Sequence, residues 1–577
     1  MHRRLVSATL LIVTAIVVAS SFSERPSVAH GAQGTNLTPL VPVTVDVDVN
    51  IKFQPLHGVG AALTSSSAYL LMKQLTPQQR QPILRRLFGG SSSTEGINGD
   101  SDDEAFGGLT MVRLPMGASD FNVIERYSYD DLPANVTEDW DMKYFSIDKD
   151  LEFIVPAIQE ILRMQPHLKF IAAPWSAPGW MKTSGVLYGG ALRDDDPRII
   201  SSYATYFLKF IDAYAAHGVH VTYLSLQNEP QYSTGSYPTM TVTPSQEVAL
   251  AEAIMALLLT SSSSPSSRRV TPKIVIYDHN WNNATYPMDV LGASPTISSP
   301  TSLVAGTAFH CYEGGVSNQT VVHDFMPWKE IMFTECTGGA WSPNATSSFL
   351  WDVSTLTIGA VRNWATVVLK WNVVLNPSGG PKLDGGCGDC RGVVTVDTGN
   401  TTTTTTTMEG RGDGTLETTN DNAEVVSPFV VTWNEDFYAL AHLGMATGRW
   451  NRAAPGEPGN TMCRGHSSST APGLTSLLVT PCNNTGGWSG ERSAWSNFFH
   501  ALLLANSNAY ALNVSVLIAA APPASSCTAH LALPSSSVAT LRWPNDGPPE
   551  AIRFWLSEPS APGNNSYWKR QTSVVRC

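Results

Sequence analysis

Val221-Thr-Tyr-Leu-Ser-Leu-Gln-Asn-Glu229-Pro and Ile331-Met-Phe-Thr-Glu335-Cys share one pattern, a short apolar and β-branched run that ends on a glutamate. Such runs read as parallel strands buried on both faces. A carboxylate at the C-terminal end of a strand of this kind lies where a (β/α)₈ barrel collects its chemistry. Two of them on different strands, Glu229 and Glu335, form the kind of pair that glycosidic bond cleavage needs. A lone glutamate at a strand end is more commonly an ion-pair or capping partner than a catalyst. Asn228 tips the balance, because an amide beside the acid is suited to hydrogen-bonding a sugar 2-OH.

Outward from these two segments the chain alternates strand and helix. Leu56–Ala62, Leu109–Leu114, Leu168–Ala173, His220–Leu226, Lys273–Tyr277, Leu303–His310, Glu330–Thr334 and Val367–Trp371 are the strand candidates. Eight of them suit an α/β fold of the (β/α)₈ TIM-barrel type. Asp150–Met164, Arg198–His217 and Glu435–Ala446 carry helical periodicity. In the second of these, Tyr203, Tyr206, Phe207, Phe210 and Tyr214 fall on one face and read as packing. After about Gly448, short apolar runs separated by Pro, Gly and Ser clusters predict an attached all-β sandwich. The alternating Leu40–Phe53 segment is placed with it as an added strand. The expected division is residues 1–29 as a signal peptide, 30–55 as that N-terminal strand segment, 56–447 as the catalytic barrel and 448–577 as the sandwich. Gly89–Glu104, Ser261–Arg269 and Thr401–Thr407 read as surface inserts. Arg411-Gly-Asp is treated as loop composition.

The 577 residues are 42% hydrophobic and only 15% charged, with a net charge of −12. No basic stripe appears, which argues against a nucleic-acid partner. Met1-His-Arg-Arg followed by the apolar Leu5–Ser20 and small residues near Ser27-Val-Ala-His resembles a cleaved secretion signal. Its rival is a retained signal anchor. No later stretch is apolar enough to span a bilayer, so the mature chain is expected to be secreted. Nine Asn-X-Ser/Thr sequons, at Asn36, Asn135, Asn283, Asn318, Asn344, Asn400, Asn483, Asn513 and Asn564, and eight cysteines fit that compartment. Sequential pairing would join Cys311–Cys336, Cys387–Cys390, Cys463–Cys482 and Cys527–Cys577. The Cys387-Gly-Asp-Cys390 motif has redox and half-zinc-site alternatives, but it lacks a second such motif and sits in a Gly-rich stretch. Nothing calls for a metal or an organic cofactor: HExxH, a P-loop and a dinucleotide fingerprint are all missing, as is a Gly-x-Ser-x-Gly elbow.

Gly58-Val-Gly-Ala-Ala-Leu-Thr, Val112-Arg-Leu-Pro-Met-Gly-Ala-Ser-Asp, Pro174-Trp-Ser-Ala-Pro-Gly-Trp-Met-Lys, Leu226-Gln-Asn-Glu-Pro-Gln, Phe309-His-Cys-Tyr, Phe333-Thr-Glu-Cys and Lys370-Trp-Asn follow one order. That series resembles glycoside hydrolase family 30, which holds glucosylceramidase and the fungal endo-β-1,6-glucanases. Tyr277-Asp-His-Asn-Trp-Asn and the Cys387 loop resemble the β-1,6-glucanase branch. The resemblance implies a retaining enzyme with Glu229 on the fourth strand as acid/base and Glu335 on the seventh as nucleophile, their carboxyls about 5–5.5 Å apart. Burial and the nearby Glu335 are expected to raise the pKa of Glu229. Arg113 is expected to orient Glu335 or bind sugar hydroxyls. Asp120 and Trp175 would contact the sugar, and Trp371 would form an apolar platform under it. Tyr312 would hydrogen-bond the nucleophile, with His310 either beside it or simply a core histidine. Tyr237 and Trp281 are candidates for the acceptor rim.

Two departures stand out. Ser65 replaces the aspartate common in the family, and Lys382-Leu-Asp-Gly-Gly-Cys diverges from the glucosylceramidase loop. The favoured substrate is β-1,6-glucan. A glucosylated lipid, as in glucosylceramidase, is the alternative substrate, and a non-catalytic glycan-binding protein is the alternative class.

Overall fold

The computed structural model describes residues 41–89, 107–123, 126–261, 270–399, 407–410, 416–419, 428–447, 461–482, 499–519, 527–544, 553–557 and 568–570. Eight parallel strands close into a barrel: Gly58–Ala62, Met111–Met116, Lys169–Pro174, Tyr223–Ser225, Lys273–Asn280, Val304–His310, Glu330–Glu335 and Ala365–Asn372. Each pairs with the next in sequence, and the eighth closes on the first, with Val367 opposite Gly58. The strands are buried almost throughout, as their continuous apolar runs predict. Met111, Ile171, Tyr223, Val275, Ala308, Met332, Val367 and Leu369 fill the interior, a packed core of the kind barrels require. Close packing of neighbouring strands explains Gly60: a Cβ there would stand 1.8 Å from the carbonyl oxygen of Met111.

Around the barrel, the amphipathic Arg198–Ala216 helix buries Tyr203, Tyr206, Phe207, Phe210 and Tyr214, the face its periodicity predicts. The stretch expected as one helix from Asp150 is instead two, Asp148–Leu151 and Ile154–Met164. The break goes with Asp150, whose buried carboxylate accepts hydroxyl hydrogen bonds from Tyr127 (2.5 Å), Tyr129 (2.6 Å) and Tyr214 (2.5 Å).

The second layer is one continuous nine-stranded sheet. Val41–Leu56 lies inside it, parallel to Leu512–Ala519 and antiparallel to Met462–Ser469. Val45, Leu478, Leu504, Val516, Ala529, Leu541 and Phe554, from strands across the whole sheet, share one apolar cluster. The sheet therefore folds over on itself, and the two layers of the expected sandwich are halves of a single sheet. Alternate residues on the other face, Leu477, Val479, Leu503 and Val538, pack into the barrel's outer core. His442 on the Glu435–Thr447 helix ties the two together through Thr540 (2.7 Å) and Ser557 (2.9 Å). Disulfides join Cys311–Cys336, Cys387–Cys390 and Cys463–Cys482; Cys577, the expected partner of Cys527, lies outside the described residues, as do residues 1–29. Among the described residues, no helix is long and apolar enough to cross a membrane.

Candidate active site

Arg113 sits on the second strand, fully buried, at the centre of the barrel mouth. An isolated buried guanidinium is costly, so its partners must be ionised or strongly polar. Its Nη1 donates to Oε2 of Glu335, and Nη2 donates to Asn228 Oδ1 at 2.7 Å and Asp278 Oδ2 at 2.9 Å. One cation thereby links the ends of the fourth, fifth and seventh strands. The contact to Asn228 also settles the orientation of its amide: with the oxygen facing Arg113, the NH₂ group is left to donate into the cleft.

Glu335 ends the seventh strand, and the hydroxyl of Tyr312 donates to its second oxygen at 2.9 Å. Burial above all, with the Glu229 carboxyl, leaves the pKa of Glu335 raised, and His310, Arg113 and Tyr312 oppose that shift without cancelling it. Donors on both oxygens favour the ionised form. The Cys311–Cys336 disulfide clamps the chain immediately after His310 to the chain immediately after Glu335.

Glu229 follows the fourth strand in left-handed backbone, φ 51°, the kind of local strain that persists where surroundings enforce it. Its N–H donates to the Asp278 carbonyl at 3.1 Å, and the Asn228 N–H donates to that of Pro174 at 2.8 Å. The side chain is 17% exposed and reaches into the cleft. Its Oε1 lies 3.1 Å from His310 Nδ1 and 3.7 Å from His279 Nδ1. The other nitrogen of His310 meets Asp278 Oδ1 at 3.1 Å.

The expected upward shift of Glu229 is therefore reversed. Burial does push it up, but the imidazoles of His279 and His310 outweigh burial and hold it down to about 2. His310, despite burial, is raised to about 9 by the carboxylates of Glu335, Asp278 and Glu229. These opposite shifts favour Glu229 as the carboxylate and His310 as the imidazolium.

Asp278 is the residue that the sequence reading overlooked. It accepts from Ser225 (2.7 Å) and Thr334 (2.5 Å) as well as Arg113 and His310. Tyr277 and Asp278 both have positive φ, at a register shift in the fifth strand. A bulge of this sort re-aims side chains, and it brings both Asp278 and His279 to the site. Their only signal was the Tyr277-Asp-His-Asn-Trp-Asn motif itself.

Trp175 and Trp371 stack on each other at 5.1 Å, with the Arg113 guanidinium over both rings, and the Cys387–Cys390 disulfide packs against this pair. Asp120 is nearly buried, and its carbonyl accepts from Leu383 N at 2.8 Å, which brings the divergent Lys382 loop against the site. Burial and then Glu335 raise its carboxyl to about 8, so near neutrality it carries a proton to donate. Tyr237 is half-buried beside Tyr232, close enough to feel the charges of Asp120 and Glu229. Trp281 is not on the acceptor rim: it is 2% exposed, stacked on Phe333 and donating to Gln319 at 2.9 Å. Its indole is consumed by packing behind the barrel wall.

The profile of the "Glycosyl hydrolase family 30 TIM-barrel domain" matches residues 56–402. The chain belongs to glycosyl hydrolase family 30. This family-30 enzyme is 31% identical over 385 residues to an endo-1,6-beta-D-glucanase of Neurospora crassa, covering 66% of this chain and 72% of that protein. A "putative glucosylceramidase 4" of Caenorhabditis elegans is 32% identical over 355 residues, 59% of this chain and 63% of the relative. The solved endo-beta1,6-glucanase BT3312 overlays with a TM-score of 0.65 at 24% identity, covering 87% of this chain and 94% of the other. At that identity the overlay speaks for the shared fold. As a family-30 member the chain is a glycosyl hydrolase.

Proposed function

We propose that the protein is a secreted, retaining β-glycosidase whose substrate is β-1,6-linked glucan. The observation that carries the chemistry is the division of labour between the two carboxylates. Glu335 is hydrogen-bonded by Arg113 and Tyr312, and Glu229 Oε1 lies 3.1 Å from His310 Nδ1. In the first step a Glu335 oxygen attacks the anomeric carbon, while the proton held by Glu229 and His310 passes through Glu229 to the leaving oxygen. In the second, Glu229 takes a proton from water, and the water oxygen displaces Glu335 from the sugar. The Asn228 NH₂ donates to the 2-OH, a contact that strengthens in the transition state. A pair working this way calls for carboxyls about 5–5.5 Å apart.

The preference for β-1,6-glucan rests on the Neurospora crassa relative and on the branch-like motifs at Tyr277 and Cys387. Secretion rests on the N-terminal signal-like sequence and on disulfides within the barrel. The glucosylceramidase relative keeps a glucosylated lipid as the second substrate to test. Product analysis on β-1,6-glucan and, in parallel, on glucosylceramide with detergent is the test. Glucose or gentio-oligosaccharides released from the glucan alone support the reading, and ceramide release alone overturns the substrate. Retained glycan binding with no hydrolysis by the wild-type chain would sink the catalytic reading itself.

A further inference from the structure

Glu229, His279 and His310 bring one carboxylate oxygen and two imidazole nitrogens within 4.8 Å of one another. The two imidazole Nδ1 atoms stand 3.1 and 3.7 Å from the same Glu229 oxygen. Ligand atoms about 2.0–2.2 Å from a common tetrahedral ion lie roughly 3.3–3.6 Å apart, so each imidazole stands within a few tenths of an ångström of that spacing from the Glu229 oxygen. Two further features mark the cluster. His279 Nδ1 is buried in a residue only 7% exposed, makes no hydrogen bond, and faces Glu229. His310 turns its other nitrogen to Asp278 at 3.1 Å, the outer-carboxylate arrangement that orients a metal-binding imidazole and strengthens it as a ligand.

We propose that Glu229, His279 and His310 form a site for a divalent transition-metal ion of the Zn²⁺ class, and that its occupancy competes with glycoside cleavage. Two nitrogens and one oxygen suit Zn²⁺ or Cu²⁺, whereas Mg²⁺ and Ca²⁺ call for oxygen ligands throughout. Glu229 opens to the cleft, which leaves a fourth position for water. The ion takes the Glu229 lone pair that would carry the acid proton. The binding itself depends only on these three side chains. Its effect on rate rests on the proposed role of Glu229.

Titration calorimetry of the purified full chain with ZnCl₂, and the visible absorption of a Co²⁺ complex, read the site without turnover. One ion per chain is expected, removed by EDTA, with affinity at least tenfold weaker in both His279→Ala and His279→Asn. Glu335→Gln leaves the three ligands in place and should still bind one Zn²⁺ per chain. Hydrolysis of glucan should be inhibited competitively by Zn²⁺ and restored by EDTA. Unchanged Zn²⁺ affinity in both His279 variants, each checked for native circular dichroism, overturns the site. Zn²⁺ binding that leaves hydrolysis untouched overturns the competition with cleavage and not the site. Zn²⁺ binding by a chain that cleaves no glycoside would keep the site and remove the proposed function instead.

Discussion

Replacing Asp278 with asparagine preserves the side-chain shape and removes one charge where Arg113, Ser225, Thr334 and His310 converge. Each Asp278 oxygen now accepts two hydrogen bonds: Oδ2 from Arg113 and Ser225, Oδ1 from Thr334 and His310. An amide has one acceptor oxygen, so its nitrogen must face two donors. If the oxygen stays with Arg113, the NH₂ group confronts His310, which gives up its proton on that nitrogen. The neutral imidazole then carries its hydrogen on Nδ1, toward Glu229, and the pair no longer shares a mobile proton. Removing one partner of a buried charge pair costs about 3–5 kcal/mol, and loss of general-acid help costs about 10²–10⁴ in rate. We expect Asp278→Asn to fold with a lower urea midpoint and to lose about 10²–10⁴ of kcat on glucan. The informative assay is a pH–rate profile on glucan beside an aryl glucoside whose leaving group needs no proton. The aryl substrate should lose far less. Equal losses on both substrates would place Asp278 behind Arg113 and Glu335 rather than behind the proton. A variant within threefold of wild type, with its pH profile unmoved, would refute the reasoning altogether.

Other expectations are more direct. Glu335→Gln should abolish turnover with unchanged circular dichroism, and azide should restore turnover of an activated aryl glucoside to Glu229→Ala but not to Glu335→Gln; the opposite pattern exchanges their roles. Asp120 keeps its proton to about pH 8 and His310 to about pH 9, so activity on glucan should fall as pH rises above about 8; a profile flat to pH 10 contradicts this. The raised pKa of His310 contributes stability that is fully present below its unfolded value of about 6.5 and is lost as pH rises through about 9. The thermal midpoint should drop across that window, and less so in His310→Asn. Trp371→Ala removes a side chain that is 4% exposed; it should cost about 3–5 kcal/mol and raise KM, whereas Trp371→Phe should recover most of both. Replacing Cys463 and Cys482 together by serine opens a bridge across 19 residues, which should cost about 3 kcal/mol and leave kcat unchanged.

The barrel, its order, the strand ends that carry Asn228, Glu229 and Glu335, and the strand that carries Arg113 were legible in the residue pattern alone. These are local properties: a buried parallel strand must be apolar along its length, so a charged residue at its end is conspicuous. Trp281 was misplaced because an apolar ring at a strand end reads the same whether it faces the cleft or the wall behind it. Asp278 and His279 went unassigned because a bulge with two positive φ values leaves no trace in a hydrophobic pattern. The single folded sheet, too, was hidden, since strand runs do not declare their partners. The protonation of Glu229 was beyond reach for a deeper reason. It depends on imidazoles and carboxylates carried by the fourth, fifth and sixth strands and held 3–4 Å apart. Charges at that range in a dry site shift one another far more than any residue's intrinsic pKa, and only closure of the barrel sets those distances.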